Sequence, residues 1–123
     1  MKTQIRIKAG QVSVLAELFN TSAAQAILKT LPFSGEVNTW GEEIYFGIPL
    51  EFEMEKGQTM VNPGDLGYWP PGKAFCVFFG PTPISNTDEI RPASAVEVFG
   101  RLIGDPAVFK TVEDGEPIVI ERA

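Results

Sequence analysis

The 123-residue chain contains no histidine and a single cysteine, Cys76. The first absence removes Ser-His and Cys-His nucleophile pairs and histidine metal sites. The second excludes an internal disulfide and leaves a reducing cytoplasm as the expected compartment. Positive charge is also scarce. Ten Lys and Arg stand against sixteen Asp and Glu, for a net charge of −6 and a pI near 4.6. The nearest thing to a basic stripe is Lys2, Arg6 and Lys8 on one strand. Three charges cannot outweigh an acidic surface, so neither nucleic acid nor an anionic membrane is an expected partner. No apolar run approaches the length of a membrane span, and Met1–Ile7 alternates where a secretion signal would be continuously apolar. Without such a signal, Asn20-Thr21-Ser22 reads as a chance match to a glycosylation acceptor. Phosphate-cradling glycine motifs are missing too: Gly64, Gly67 and Gly72 fall in strand and turn contexts, not before a helix.

What is present reads as one β-rich domain over residues 1–123. The most strongly specified stretch is Gly64–Pro83. It carries a strand over Asp65–Trp69, the stiff Trp69-Pro70-Pro71-Gly72 turn, and the apolar run Ala74–Phe79. Ahead of it, Gln4–Lys8 and Val12–Ala16 alternate with period two around an Ala9-Gly10 link, which predicts a hairpin. Thr21 or Ser22 caps a helix over about 21–31, with Ser22 and Gln25 spaced as a capping box and Pro32 as the stop. Ser34–Trp40, Glu43–Phe46, Leu50–Glu55 and Thr59–Val61 read as further strands. Ile84–Pro92 reads as a surface loop. Ala95–Ile103 is a strand interrupted by Gly100. Asp105-Pro106 predicts a short helical turn near 106–110, and Pro117–Glu121 closes the chain after an Asp114-Gly115 turn. About eight short strands with one main helix predict an all-β, closed antiparallel barrel.

The order of these elements resembles the cyclophilins. Val14-Leu15-Ala16-Glu17-Leu18-Phe19 followed by Thr21–Leu31 is similar to the cyclophilin opening strand and helix. Gly64-Asp65-Leu66 and Phe78-Phe79 resemble the strand pair beside the cyclophilin substrate groove, and Val98–Ile103 resembles its Val-Phe-Gly strand. More narrowly, Trp40–Phe46 and Gly64–Pro70 with Phe79-Gly80 look like a small prokaryotic cyclophilin-like family of unassigned function. The resemblance runs from about Thr3 to Glu121. It implies a compact cyclophilin-like barrel with a substrate groove on its side.

The groove signature departs from the resemblance. Active cyclophilins use a Phe-His-Arg segment whose arginine polarises the carbonyl before the target proline and so eases rotation about a bond with a high barrier. Here the matching segment, Tyr45-Phe46-Gly47-Ile48-Pro49, lacks arginine, and Phe46 aligns with its place. Val96 lies near the position of the groove histidine. Tyr68-Trp69-Pro70 replaces a Met-Ala-Asn signature, and Ala74-Phe75-Cys76 replaces Gln-Phe-Phe. The resemblance therefore implies the fold but no catalytic residue.

The ligand-binding candidates are Trp40, Glu43, Tyr45, Phe46, Trp69, Cys76 and Phe78. Trp40, Tyr45 and Trp69 each flank a turn and carry a polar tip, which suits the wall of a shallow pocket. Glu43 supplies a fixed charge favouring a basic or amide-bearing partner. Glu42, its neighbour, points the opposite way on an extended chain. Cys76 lies in an apolar strand and reads first as a small buried hydrophobe; reactivity would need a cation, and Lys73 is the local one. Glu51, Glu53 and Glu55 read as a solvated strand face, not as a Ca²⁺ site, because ligands spaced along a strand do not converge. The expected protein binds a small molecule or short peptide without cofactor or metal. The alternatives are a weak, arginine-free prolyl isomerase and a scaffold whose aromatic rim is a homo-oligomer interface.

Overall fold

The computed structural model describes residues 3–123; Lys2, expected beside Arg6 and Lys8, lies outside them. The strands are β1 (Thr3–Ala9), β2 (Val12–Leu18), β3 (Phe33–Glu36), β4 (Asn38–Thr39), β5 (Glu43–Gly47), β6 (Gly57–Gln58), β7 (Asp65–Trp69), β8 (Ala74–Phe78), β9 (Val96–Leu102) and β10 (Pro117–Arg122). One α-helix, α1 (Ser22–Lys29), and two 3-10 turns, Pro70–Gly72 and Pro106–Thr111, complete the structure. Eight of the strands have four or more residues; β4 and β6 have two each.

All strand pairings are antiparallel, in the order β3-β10-β1-β2-β9-β7-β8-β5-β4, with β6 added to β9. The two ends of this order are consecutive parts of one extended segment, 33–39. Its first part pairs with β10 and its second with β5. Between them, the Val37 N–H donates to the Glu116 carbonyl at 2.9 Å and the Val37 carbonyl accepts from Gly115 N–H at 2.7 Å. Segment 33–39 thus draws the sheet into a nearly closed barrel, which leaves little free edge.

Local chemistry explains the element boundaries. Ala9 pairs with Val12, so the hairpin loop is Gly10-Gln11 and Ala9 still belongs to the ladder. Gly10 takes φ +56°, the left-handed conformation that a two-residue hairpin loop requires. Thr21 is the helix cap, its hydroxyl accepting from Ala24 N–H at 3.1 Å. The Ser22–Gln25 capping box does not form, because Ser22 is already inside the helix; its hydroxyl bonds to the Glu55 carboxylate. α1 ends at the Thr30 cap, earlier than expected, and buries Ala23, Ala24, Ile27 and Leu28 in the barrel core. Asp105 caps the second 3-10 turn by accepting from Ala107 N–H at 3.0 Å.

Segment 50–55, expected as a strand, joins no ladder. Its alternation survives in burial: Phe52 and Met54 are half-buried, while Glu51, Glu53 and Glu55 are exposed. Side chains take the place of a strand partner. Tyr68 donates its hydroxyl to the Leu50 carbonyl at 2.9 Å, and the buried Glu97 carboxylate accepts from Glu55 N–H at 2.7 Å. The expected Thr59–Val61 strand is likewise displaced: β6 forms at Gly57–Gln58, and Val61 makes an isolated bridge to Ile90.

The barrel interior is aromatic at its centre. Phe46 stacks between Phe33 and Phe75 at ring separations of 5.7 and 5.1 Å, and Phe75 meets Phe99 edge-on at 5.0 Å. Phe46 was expected at the pocket, and this position corrects that expectation. Side chains alternate along a strand, so Glu43 and Tyr45 on one face of β5 leave Ile44 and Phe46 on the other. Phe46→Ala is expected to cost about 3–5 kcal/mol in urea denaturation. A loss below about 1 kcal/mol, as for a surface site, would contradict a core role.

Candidate functional site

The outer face of β5, β8, β7 and β9 carries the site. Register fixes which side chains share it. Tyr45 opposes Cys76 and Glu43 opposes Phe78 across β5 and β8. Gly67 opposes Cys76 and Trp69 opposes Ala74 across β7 and β8. Ala74, Cys76, Phe78 and Val96 form a second apolar cluster, separate from the barrel core, with Tyr45, Trp69 and Val98 packed against it. Gly67 permits this packing: a Cβ there would lie 3.1 Å from a Val96 methyl and 3.2 Å from the Phe78 ring.

Above this floor lies a cavity of about 260 Å³ lined by Trp40, Glu43, Tyr45, Trp69, Pro92, Ala93 and Val96. Each wall has a local cause. Thr39 pairs with Ile44, and the Trp40 N–H donates to the Glu43 carbonyl at 3.0 Å, so Gly41-Glu42 is a two-residue hairpin loop. Gly41 takes φ +61°, which this loop type demands. Trp40 and Glu43 are therefore opposite residues, and their side chains fall on one face. Glu42 turns away and pairs with Lys110 at 3.6 Å. Trp69 ends β7 at the Pro70-Pro71 turn, and its indole N–H donates to Ser94 Oγ at 2.7 Å. That bond ties the β7 end to the 81–95 loop, which brings Pro92 and Ala93 over the groove. The loop is itself pinned by the Val61–Ile90 bridge and by Arg91 N–H donating to Ser85 Oγ at 2.9 Å.

Glu43 is the unusual group. It is 6% exposed, and burial pushes its carboxyl from the ordinary 4.5 up to about 7, against a smaller opposing pull from a hydrogen bond with the Cys76 thiol. Burial first, and the neighbouring Glu43 second, push the Cys76 thiol well above its usual range. Cys76 is thus a neutral thiol, and Lys73 does not activate it, since Lys73 pairs with Glu51 at 3.4 Å. Among the described residues, no cationic side chain lines the cavity. All four arginines are engaged elsewhere: Arg6 with Ser13, Arg91 with Glu89, Arg101 with Asp65 and Arg122 with the Leu28 carbonyl. Among the described residues, no three Cys, Asp or Glu side chains are grouped to hold a metal ion.

The fold, the groove face and the missing arginine now stand together with a family match: residues 3–121 fit the cyclophilin-like family. The chain belongs to the cyclophilin-like family. The solution structure of the hypothetical protein AF2241 from Archaeoglobus fulgidus is similar at 42% identity and a TM-score of 0.83, over 99% of this chain and 95% of that one. The structure of McbB in complex with tryptophan shares the fold at 16% identity and a TM-score of 0.73; it covers 96% of this chain, which spans 44% of McbB. None of the curated proteins matches the chain.

Of the residues singled out in the sequence, this cyclophilin-like groove brings Trp40, Glu43, Tyr45 and Trp69 to the cavity wall. Cys76 and Phe78 lie beneath it in the floor cluster, and Phe46 lies behind it in the barrel. Pro92 and Ala93 carried no sequence signal, because a loop has no period to read. Val96, placed near the cyclophilin groove histidine, does line the cavity.

The Glu43 carboxyl makes stability depend on pH. It holds its proton more tightly in the folded chain than in the unfolded one. Its contribution is therefore most favourable at low pH and declines as pH rises from about 4.5 through about 7. The shift corresponds to about 3 kcal/mol. Glu43→Gln, which carries no titrating proton, is expected to gain on the wild type by up to that amount between pH 5 and pH 8 in urea denaturation. An unchanged stability difference across this range would show that the carboxyl is not desolvated.

Proposed function

We propose that the groove binds a small molecule or a short peptide, and that it does so without the amide-polarising arginine of active cyclophilins. The observation that carries this reading is the cavity itself: three aromatic walls and a buried carboxyl with no cationic partner among the described residues. At about 260 Å³ it falls just below the usual range of about 300–1,000 Å³ for small-molecule sites. That size suits a compact ligand or one or two side chains of a peptide. The walls are preorganised, since the Trp69–Ser94 bond and the Gly41 loop fix two of them, and this lowers the ordering cost of binding.

The test is an NMR titration against a panel of blocked proline peptides, L-tryptophan and other small metabolites. Amide shifts are expected to cluster at Gly41–Phe46, Asp65–Gly72 and Ala93–Val96, and Trp69→Ala should weaken binding at least tenfold. Shifts outside these segments, or none across the panel, would remove the proposal. In the same samples, cis–trans exchange of the proline peptides is expected at the uncatalysed rate. Acceleration lost in Trp69→Ala would instead support an isomerase working by desolvation.

A further inference from the structure

We propose that the groove is an aromatic cage for a methylated ammonium head, with the Glu43 carboxylate as its counter-ion. This rests on the groove being a binding site and goes further by naming the ligand chemistry. Trp40 and Tyr45 reach the cavity from the β4–β5 hairpin, and Trp69 reaches it from the end of β7. An aromatic face carries negative potential and attracts a cation within about 6 Å of its centroid. At about 260 Å³ the cavity has room for one methylated ammonium head among the three aromatic residues that line it.

The ring of Trp69 is positioned for this. Its N–H is committed to Ser94, so its polar edge is occupied. One side of the indole lies against Gly72, where a Cβ would come within 2.8 Å of two ring atoms. Gly72 thus acts as a backing plate that any larger residue would push into the ring.

Charge and hydrogen bonding favour a methylated head over other occupants. A buried carboxylate wants a positive partner, and none of the described residues provides one in the cavity. The titratable groups around Glu43 are Cys76 from β8 and Tyr45 from its own strand; Pro92, Ala93 and Val96 on the far wall carry no charge. These three residues also present no side-chain hydrogen-bond acceptor. A bare ammonium facing these three side chains would find no side-chain acceptor among them for its N–H donors. A methylated one has few or no donors to satisfy and fills the same space with apolar methyl groups. The net charge of −6 further favours the approach of a cation.

The experiment compares choline, a short peptide carrying trimethyllysine, and 3,3-dimethylbutan-1-ol, the uncharged carbon isostere of choline, by calorimetry and NMR on the full chain. At least one of the two cations is expected to bind at least tenfold more tightly than the isostere, with shifts at Trp40–Tyr45 and Tyr68–Trp69. The tighter of the two identifies a free metabolite or a modified peptide as the source. Binding should strengthen as pH rises through about 7 and release a proton below it, because the cation favours the charged form of Glu43. Trp69→Leu and Glu43→Gln should each cut cation binding at least tenfold and isostere binding by less, so that the cation's advantage over the isostere shrinks. Equal binding of cations and isostere by the wild type would overturn the cage and leave the groove proposal standing, as would a groove that takes proline peptides or tryptophan but neither cation. No binding by any probe would overturn both.

Discussion

The structure depends on β8 being buried on both faces. Phe75 and Val77 face the barrel core, while Ala74, Cys76 and Phe78 face the groove floor, and all five are buried. A strand in this position reads as a continuous apolar run, with no polar face to spare. Its partners β5 and β7 inherit the division. Whatever they place inward must fill the barrel, and whatever they place outward must seal the floor or line the cavity. The groove is therefore the back of the core. Its floor cannot move without disturbing Phe46 and Phe75, which gives the site the stiffness of the barrel beneath it.

Against that background Glu43 is a local conflict. Its strand position could hold an apolar residue over Phe78, yet it holds a carboxyl whose burial opposes ionisation by about 3 kcal/mol. Set against the roughly 5–15 kcal/mol by which domains are stable, this is a substantial cost, and no ion pair among the described residues offsets it. Asp65, also buried, shows the structural alternative. It accepts from Asn62 N–H at 2.9 Å and pairs with Arg101, and its role in holding the start of β7 is complete within the protein. Glu43 has only a thiol. A conflict between local cost and global fold marks the kind of position where function is met first.

Much of the fold was legible because period-two alternation is a property of sequence alone. The β1–β2 hairpin, the Asp65–Phe78 strand pair and the Thr21 cap all follow from it or from simple cap and turn chemistry. Alternation also held the information that Tyr45 and Phe46 cannot both face a groove, but not which of them does. That choice is made by Cys76 and Phe75 across the ladder, and register between distant strands is not written locally. Segment 50–55 misled for a related reason. Its pattern is that of a strand, but Tyr68 and Glu97 satisfy its backbone before any strand does. Pro92 and Ala93 reach the site only through the Ser94–Trp69 bond and the pinning of the 81–95 loop, which are tertiary facts.

The electrostatic character of the groove follows from these placements. In active cyclophilins, as the resemblance implies, an arginine draws electron density from the carbonyl before proline. Here Phe46 aligned with that arginine in sequence, but it points into the barrel, and the residue that β5 presents to the cavity beside Tyr45 is an acid. The sign at the groove is thus reversed, and the reversal can be undone by one proton. Ionised, Glu43 repels a carbonyl oxygen and attracts a cation; protonated, it becomes a neutral hydrogen-bond donor. With its carboxyl held near 7 by burial, both forms exist around neutral pH. A ligand that binds one form preferentially must shift that balance, since differential affinity and population are linked. Binding of any ligand that distinguishes the two forms of this carboxyl would therefore be linked to protonation.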